Sequence, residues 1–147
     1  MRLYHWELIK YLPKNQLLNQ HKECCGLRGK GWGKNQSTVN YVFKYNPAEL
    51  ADYHVLVIWE CMNRKYKINK RWINYDFRGL QNRSWTDEEL TRSERLGGKY
   101  PEHTTEYLAE CINLLKSRGV DVAEILPTSM FIRCFFNNVL NKFRRRR

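Results

Sequence analysis

Apolar residues recur at helical spacing along most of this chain. Pro13 is pre-set for a first helical turn. After it, Leu17, Leu18, His21, Cys24 and Cys25 fall on one stripe, with Gln16, Asn19, Gln20 and Glu23 on an opposite, polar one. Gly26 and Gly29 weaken that helix, and residues 29–36 read as a basic glycine-rich loop. The clearest helix starts at Asn46, an N-cap residue, with Pro47 in the first position. Its stripe is Leu50, Tyr53, His54, Val57, Ile58, Cys61 and Met62, and Arg64 and Lys65 complement the dipole at its end. His54 lies inside that stripe and reads as a packed histidine rather than a base.

Residues 66–83 are basic, aromatic and aperiodic. Thr86 with Glu89 spells a capping box for a short acidic helix ending at Gly97 and Gly98. A helix over 101–118 would bury Tyr107, Leu108, Cys111, Leu114 and Leu115 and stop at Gly119. A last apolar segment, 130–143, is predicted helical and packed against the rest. Only residues 39–43 alternate with period two, too little for a sheet. The pattern predicts a mostly α chain, a single compact helical domain over 1–147, with 144–147 as a disordered basic tail.

Composition narrows the class. The chain has 147 residues, 42% hydrophobic and 14% aromatic, enough for one core and too aromatic for a disordered chain. No run reaches the roughly 18–20 apolar residues that span a bilayer, and the first residues lack the apolar region of a signal peptide. The expectation is a soluble intracellular protein with no membrane partner. Five cysteines, with no Cys-x-x-Cys spacing, read as reduced thiols; no metal site or cofactor is expected.

Charge changes the picture most. Lys and Arg number 26 against 15 Asp and Glu, a net +11. The excess falls in three blocks, 1–44, 64–83 and 111–147, separated by two acidic ones. A fold that gathered these blocks on one face would attract a polyanion. Arg2, Lys22, Arg28, Lys30 and Lys34 are the candidate phosphate contacts. Trp32, in the glycine- and lysine-rich loop, is a candidate to stack on an extruded base or wedge into a base step. Read from its neighbours alone, Glu23 is a solvated carboxylate paired with Lys22 or Arg28.

Several segments add a resemblance. Leu8-Ile9, Leu12 and Gln16-Leu17-Leu18-Asn19-Gln20-His21-Lys22-Glu23 resemble the N-terminal helix of the pyrimidine-dimer DNA glycosylases, the bacteriophage endonuclease V-like family. The similarity continues in Thr38-Val39-Asn40-Tyr41-Val42-Phe43, in the helix to Glu60-Cys61 and Arg64, in Phe77-Arg78-Gly79 and in Tyr100-Pro101-Glu102-His103. It covers about two-thirds of the chain in the same order, with extra residues between Gly79 and Tyr100.

The resemblance implies a helical fold whose N-terminal segment threads between helices. It implies damaged double-stranded DNA as partner and a combined glycosylase and AP-lyase reaction. The amine of Met1 would attack C1′ to form a Schiff base, and Glu23 would stabilise the imine and assist proton transfer. Gln16 takes the place of a family histidine, Lys22 that of an arginine, and Gly26 that of a second arginine. Elementary chemistry permits the amine's role. An α-amine of pKa about 7.7–8.0 is far more often unprotonated at neutral pH than a lysine at about 10.4. The competing reading is a non-catalytic nucleic-acid-binding module of the same fold. Neither reading gives an oligomeric state.

Overall fold

A computed structural model describes residues 2–146 and places no strand among them. The main helices are α1 (Lys14–Arg28), α2 (Pro47–Asn63), α4 (Thr105–Ser117) and α6 (Thr128–Arg145); α3 (Asp87–Leu90) and α5 (Val122–Ile125) are single turns. Short 3-10 turns, Trp6–Tyr11, Asn40–Lys44 and Lys70–Ile73, join them.

The central helix is α2. Asn46 caps it by accepting from the Ala48 N–H, with Pro47 at the start. Ten of its residues are buried, from Ala48 to Cys61, because α1 and the 3-10 turns Trp6–Tyr11 and Lys70–Ile73 all pack on it. The core joins Leu3, Leu8 and Leu12 of the N-terminal segment to Leu17 and Leu27 of α1, Tyr53 and Val57 of α2, and Leu108 and Leu115 of α4. The N-terminal segment is therefore inside the protein, with Leu3, Tyr4 and Leu8 essentially inaccessible.

Helix α1 runs through Gly26 to Arg28 and gives way at Gly29, where the basic loop was expected to begin. Three expectations change. The capping box at Thr86 and Glu89 forms, but the helix it starts is one turn long. Beyond it the chain is pinned as a loop, with Arg92 Nη1 2.7 Å from Asp52 Oδ2 and 3.1 Å from Glu49 Oε1. The predicted last helix exists but is only partly packed: Met130 and Cys134 are buried, whereas Ile132, Phe135, Phe136, Leu140 and Phe143 are exposed. That helix also carries through Arg145, so residues 144 and 145 are helical rather than a disordered tail; Arg147 lies outside the described residues. No described helix is long and apolar enough to cross a membrane.

Candidate active site on helix α1

The N-terminal segment is held by side chains reaching its backbone from three helices. From α1, the Gln20 side-chain amide donates to the Arg2 carbonyl (2.8 Å) and accepts from the Tyr4 N–H (3.0 Å). From α2, the Tyr53 hydroxyl donates to the Tyr4 carbonyl (2.6 Å). From α4, the Tyr107 hydroxyl donates to the Leu3 carbonyl, and Cys111 Sγ accepts from the His5 N–H (3.4 Å). His103 Nδ1 accepts from the Trp6 N–H (3.2 Å). Its other nitrogen therefore carries the proton and donates to the Tyr41 hydroxyl, 2.7 Å away. A buried extended segment has no ladder of its own, so each polar backbone group needs such a partner. These side chains fix residues 2–6 in one register against α1.

Gln16, Gln20 and Glu23 share one face of α1, at helical steps of four and three. Gln20 is 2% exposed. Gln16 Oε1 accepts from the Tyr4 hydroxyl at 3.0 Å and from Arg118 at 3.4 Å. Glu23, the next turn along from Gln20, is half-buried, and its Oε2 is fully buried without a hydrogen-bond partner among the described residues. Burial raises its pKa, against the lowering pull of the chain's amino-terminal charge and of Arg118. The expected pairing with Lys22 or Arg28 does not form. Met1, the expected nucleophile, lies outside the described residues.

The remaining predicted residues are dispersed. Arg2 is half-buried, its guanidinium 5.7 Å over the Tyr107 ring and 3.7 Å from Glu110. Lys22 is exposed beside Glu23, and Lys30 and Lys34 are exposed beyond the C-terminal end of α1. Trp32 is half-buried in an edge-packed group, 5.0 Å from Phe43 and 5.5 Å from Trp85, and Arg78 stacks on Trp85 at 3.8 Å. That packing holds Trp32 in the fold and leaves it only a partial face for a base.

Arg28 is a correction. It is 1% exposed, and its guanidinium donates to the carbonyls of Trp72 (2.7 Å), Asn74 (2.7 Å) and Phe77 (3.0 Å). With both terminal nitrogens committed to the 72–77 loop and the whole side chain buried, it is unavailable to phosphate. It also stands 3.0 Å from His54 Nδ1. Because arginine only donates, that nitrogen accepts. His54 Nε2 then carries the proton and gives it to His21 Nδ1 at 2.8 Å.

Sequence patterning put His21, Cys25 and His54 on apolar stripes without bringing them together. In the fold their ligand atoms lie within 4.8 Å of one another. A metal on His54 Nε2 would require both ring nitrogens bare, since Arg28 occupies the other. Burial also pushes the Cys25 thiol up to about 12, away from the thiolate that a metal would take. The cluster is a hydrogen-bonded relay that seals α1 to α2. A separate groove of about 1100 Å³, lined by Trp6, Leu56, Trp59, Met62 and Met130 among others, contains none of the predicted site residues among those described.

Arg118, Gln20 and Tyr53 border this candidate site, and patterning singled out none of them for it. Gln20 sat on the polar stripe, and the side-chain partners of Arg118, Tyr4 and Gln16, are more than 100 residues away in sequence. Neither a curated protein nor a solved structure matches the chain. Residues 1–74, which carry the N-terminal segment, α1 and α2, match the family model for pyrimidine dimer DNA glycosylase.

Proposed function

The chain belongs to the pyrimidine dimer DNA glycosylase family, and from that premise we propose that it excises damaged bases from double-stranded DNA and cuts the strand, using its own terminal amine. The observation that carries this reading is the cradle. Arg2 is tied to Gln20, one turn before Glu23, and the inner oxygen of Glu23 is buried with no partner among the described residues. A carboxylate left in that condition costs stability and is retained where charge develops in a reaction.

The amine nitrogen bonds to C1′ as the glycosidic bond breaks, and the base departs with the bonding electrons and takes up a proton. The sugar ring opens at O4′, which is protonated, leaving a cationic imine. Loss of the C2′ proton forms a C2′–C3′ double bond and expels the 3′ phosphate. Water then releases the amine. Glu23 stabilises the iminium and moves the proton. Its raised pKa brings it closer to the operating pH than an exposed glutamate, as a group that must both accept and return a proton requires.

Borohydride reduction on UV-irradiated or abasic duplex should trap a covalent adduct, and mass spectrometry should place the cross-link on the first residue's nitrogen. Acetylating that amine should abolish trapping. Glu23→Gln should slow strand cleavage by about 10²–10³-fold, the scale for losing one electrostatic stabiliser. An unblocked protein that never traps on either substrate overturns the mechanism. If it also binds DNA equally well with the amine blocked, it is a binding module of the same fold.

A further inference from the structure

The match to the family ends at residue 74, yet the face of α1 that carries Glu23 is completed by a residue from the other half of the chain. Arg118 caps the C-terminal end of α4, where its backbone N–H bonds to the Leu114 and Leu115 carbonyls. Its side chain is exposed. One guanidinium nitrogen, Nη1, donates to the Tyr4 hydroxyl at 2.8 Å and reaches Gln16 Oε1 at 3.4 Å.

These are neutral acceptors. No carboxylate lies in ion-pair range among the described residues, and Nη2 and Nε have no hydrogen-bond partner there. The other arginines holding the core are treated differently: Arg64 is paired with Glu60, Arg92 with Glu49 and Asp52, and Arg28 with backbone carbonyls. Arg118 alone of these four is steered only by neutral side chains, with no carboxylate or backbone carbonyl on its guanidinium among the described residues, and its Nη2 and Nε stay open. Its charge also acts on Glu23.

The geometry points to Arg118 as a phosphate-binding residue of this site, gripping the DNA backbone beside the reacting nucleotide. Its planar fork suits two phosphate oxygens. Tyr4 and Gln16 hold the guanidinium in place beforehand, so little side-chain freedom is lost on binding. Tyr4 belongs to the segment that leads to the terminal amine, so one arginine sets the register of both the phosphate and the nucleophile's strand. The assignment rests on the reaction proposed above being carried out at this face.

Two duplex probes separate the two ideas: one with a tetrahydrofuran abasic analogue, which cannot form an imine and reports binding alone, and one with a natural abasic site for trapping. Arg118→Ala should weaken binding to the analogue by roughly 10–100-fold, the range for a hydrogen bond to a charged group. It should also lower the slope of log affinity against log salt by about one. Lys116→Ala, which removes an exposed cation from the same helix end, should change affinity less than threefold. Arg118→Lys should keep the salt slope but trap more slowly, because it retains charge without the fork. If Arg118→Ala unfolds, Arg118→Lys and Gln16→Leu decide the matter, the latter freeing the guanidinium while leaving its charge.

Binding and salt slope unchanged within twofold in Arg118→Ala would overturn the assignment, as would trapping by Arg118→Lys at the wild-type rate. If the wild-type protein binds the analogue but never traps, the reaction is wrong. The salt slope of Arg118→Ala still decides for or against the phosphate contact.

Discussion

Helix α1 presents two polar faces, and they have been treated in opposite ways. On one, His21 and Arg28 meet His54 and the carbonyls of the 72–77 loop, so that both terminal nitrogens of the guanidinium find acceptors and only its Nε does not. On the other, Gln16 and Gln20 anchor the N-terminal segment, but the row ends in Glu23, whose buried oxygen has no partner among the described residues. A satisfied buried network stabilises and fixes a fold, whereas an unsatisfied charged group does neither. The first face is therefore architecture and the second is where chemistry can be done. Both lie within the 74 residues that match the family.

The sharpest way to break that contrast is to remove the charged member from each face. Arg28→Ala strands three loop carbonyls and the His54 acceptor, and should cost on the order of 3–5 kcal/mol of stability. Glu23→Gln should leave stability within about 0.5 kcal/mol of wild type, or raise it slightly, while activity collapses. Urea denaturation with a cleavage assay reads both. Equal destabilisation by the two variants would mean that Glu23 is structural and the distinction false.

The helices were largely legible in the sequence because their signals are local. Asn46-Pro47 opens α2, Thr86 with Glu89 opens α3, and Gly119 follows the end of α4 in a left-handed conformation (φ 82°) that favours glycine. The faces of α1 were not legible. Periodicity puts Gln20 on a polar stripe and charge makes Arg28 a candidate phosphate contact, because both count polarity and do not see what else will pack there. Gln20 is buried by a segment that has no secondary structure of its own, and Arg28 by a loop some 45 residues later. Exposed apolar residues of α6 show the same blindness in reverse: their spacing is helical, but spacing alone does not supply a neighbour.

A smaller effect should follow from loosening the cradle. Gln20→Met keeps length but leaves the Arg2 carbonyl and the Tyr4 N–H without partners, costing about 2–3 kcal/mol. Gln20→Glu keeps the acceptor for Tyr4 but sets a buried carboxylate oxygen against the Arg2 carbonyl, so it should cost at least as much. If the cradle positions the amine, both variants should lower kcat with KM for DNA nearly unchanged. Stability lost without any change in kcat would make Gln20 a packing residue only.

The gentlest probe is pH, because histidines stand on both sides of the comparison. His21 and His54 belong to the sealed face and His5 and His103 to the cradle, and in each burial lowers the pKa, to about 3 for His103. A histidine held neutral in the fold but protonated in the unfolded chain favours unfolding in acid. Its contribution is complete above about pH 6.5 and is lost as pH falls toward the folded value. Each such histidine steepens the loss by up to about 1.4 kcal/mol per pH unit. Between pH 6.5 and 5, above the usual carboxylate range, urea midpoints should therefore drop steeply. His103→Gln, whose side-chain oxygen can still accept from the Trp6 N–H, should flatten that slope by about one proton's worth. A midpoint that stays level from pH 7 to 5 would show that these imidazoles are protonated in the folded protein, and then neither His54 Nδ1 nor His103 Nδ1 could be the acceptor assigned to it.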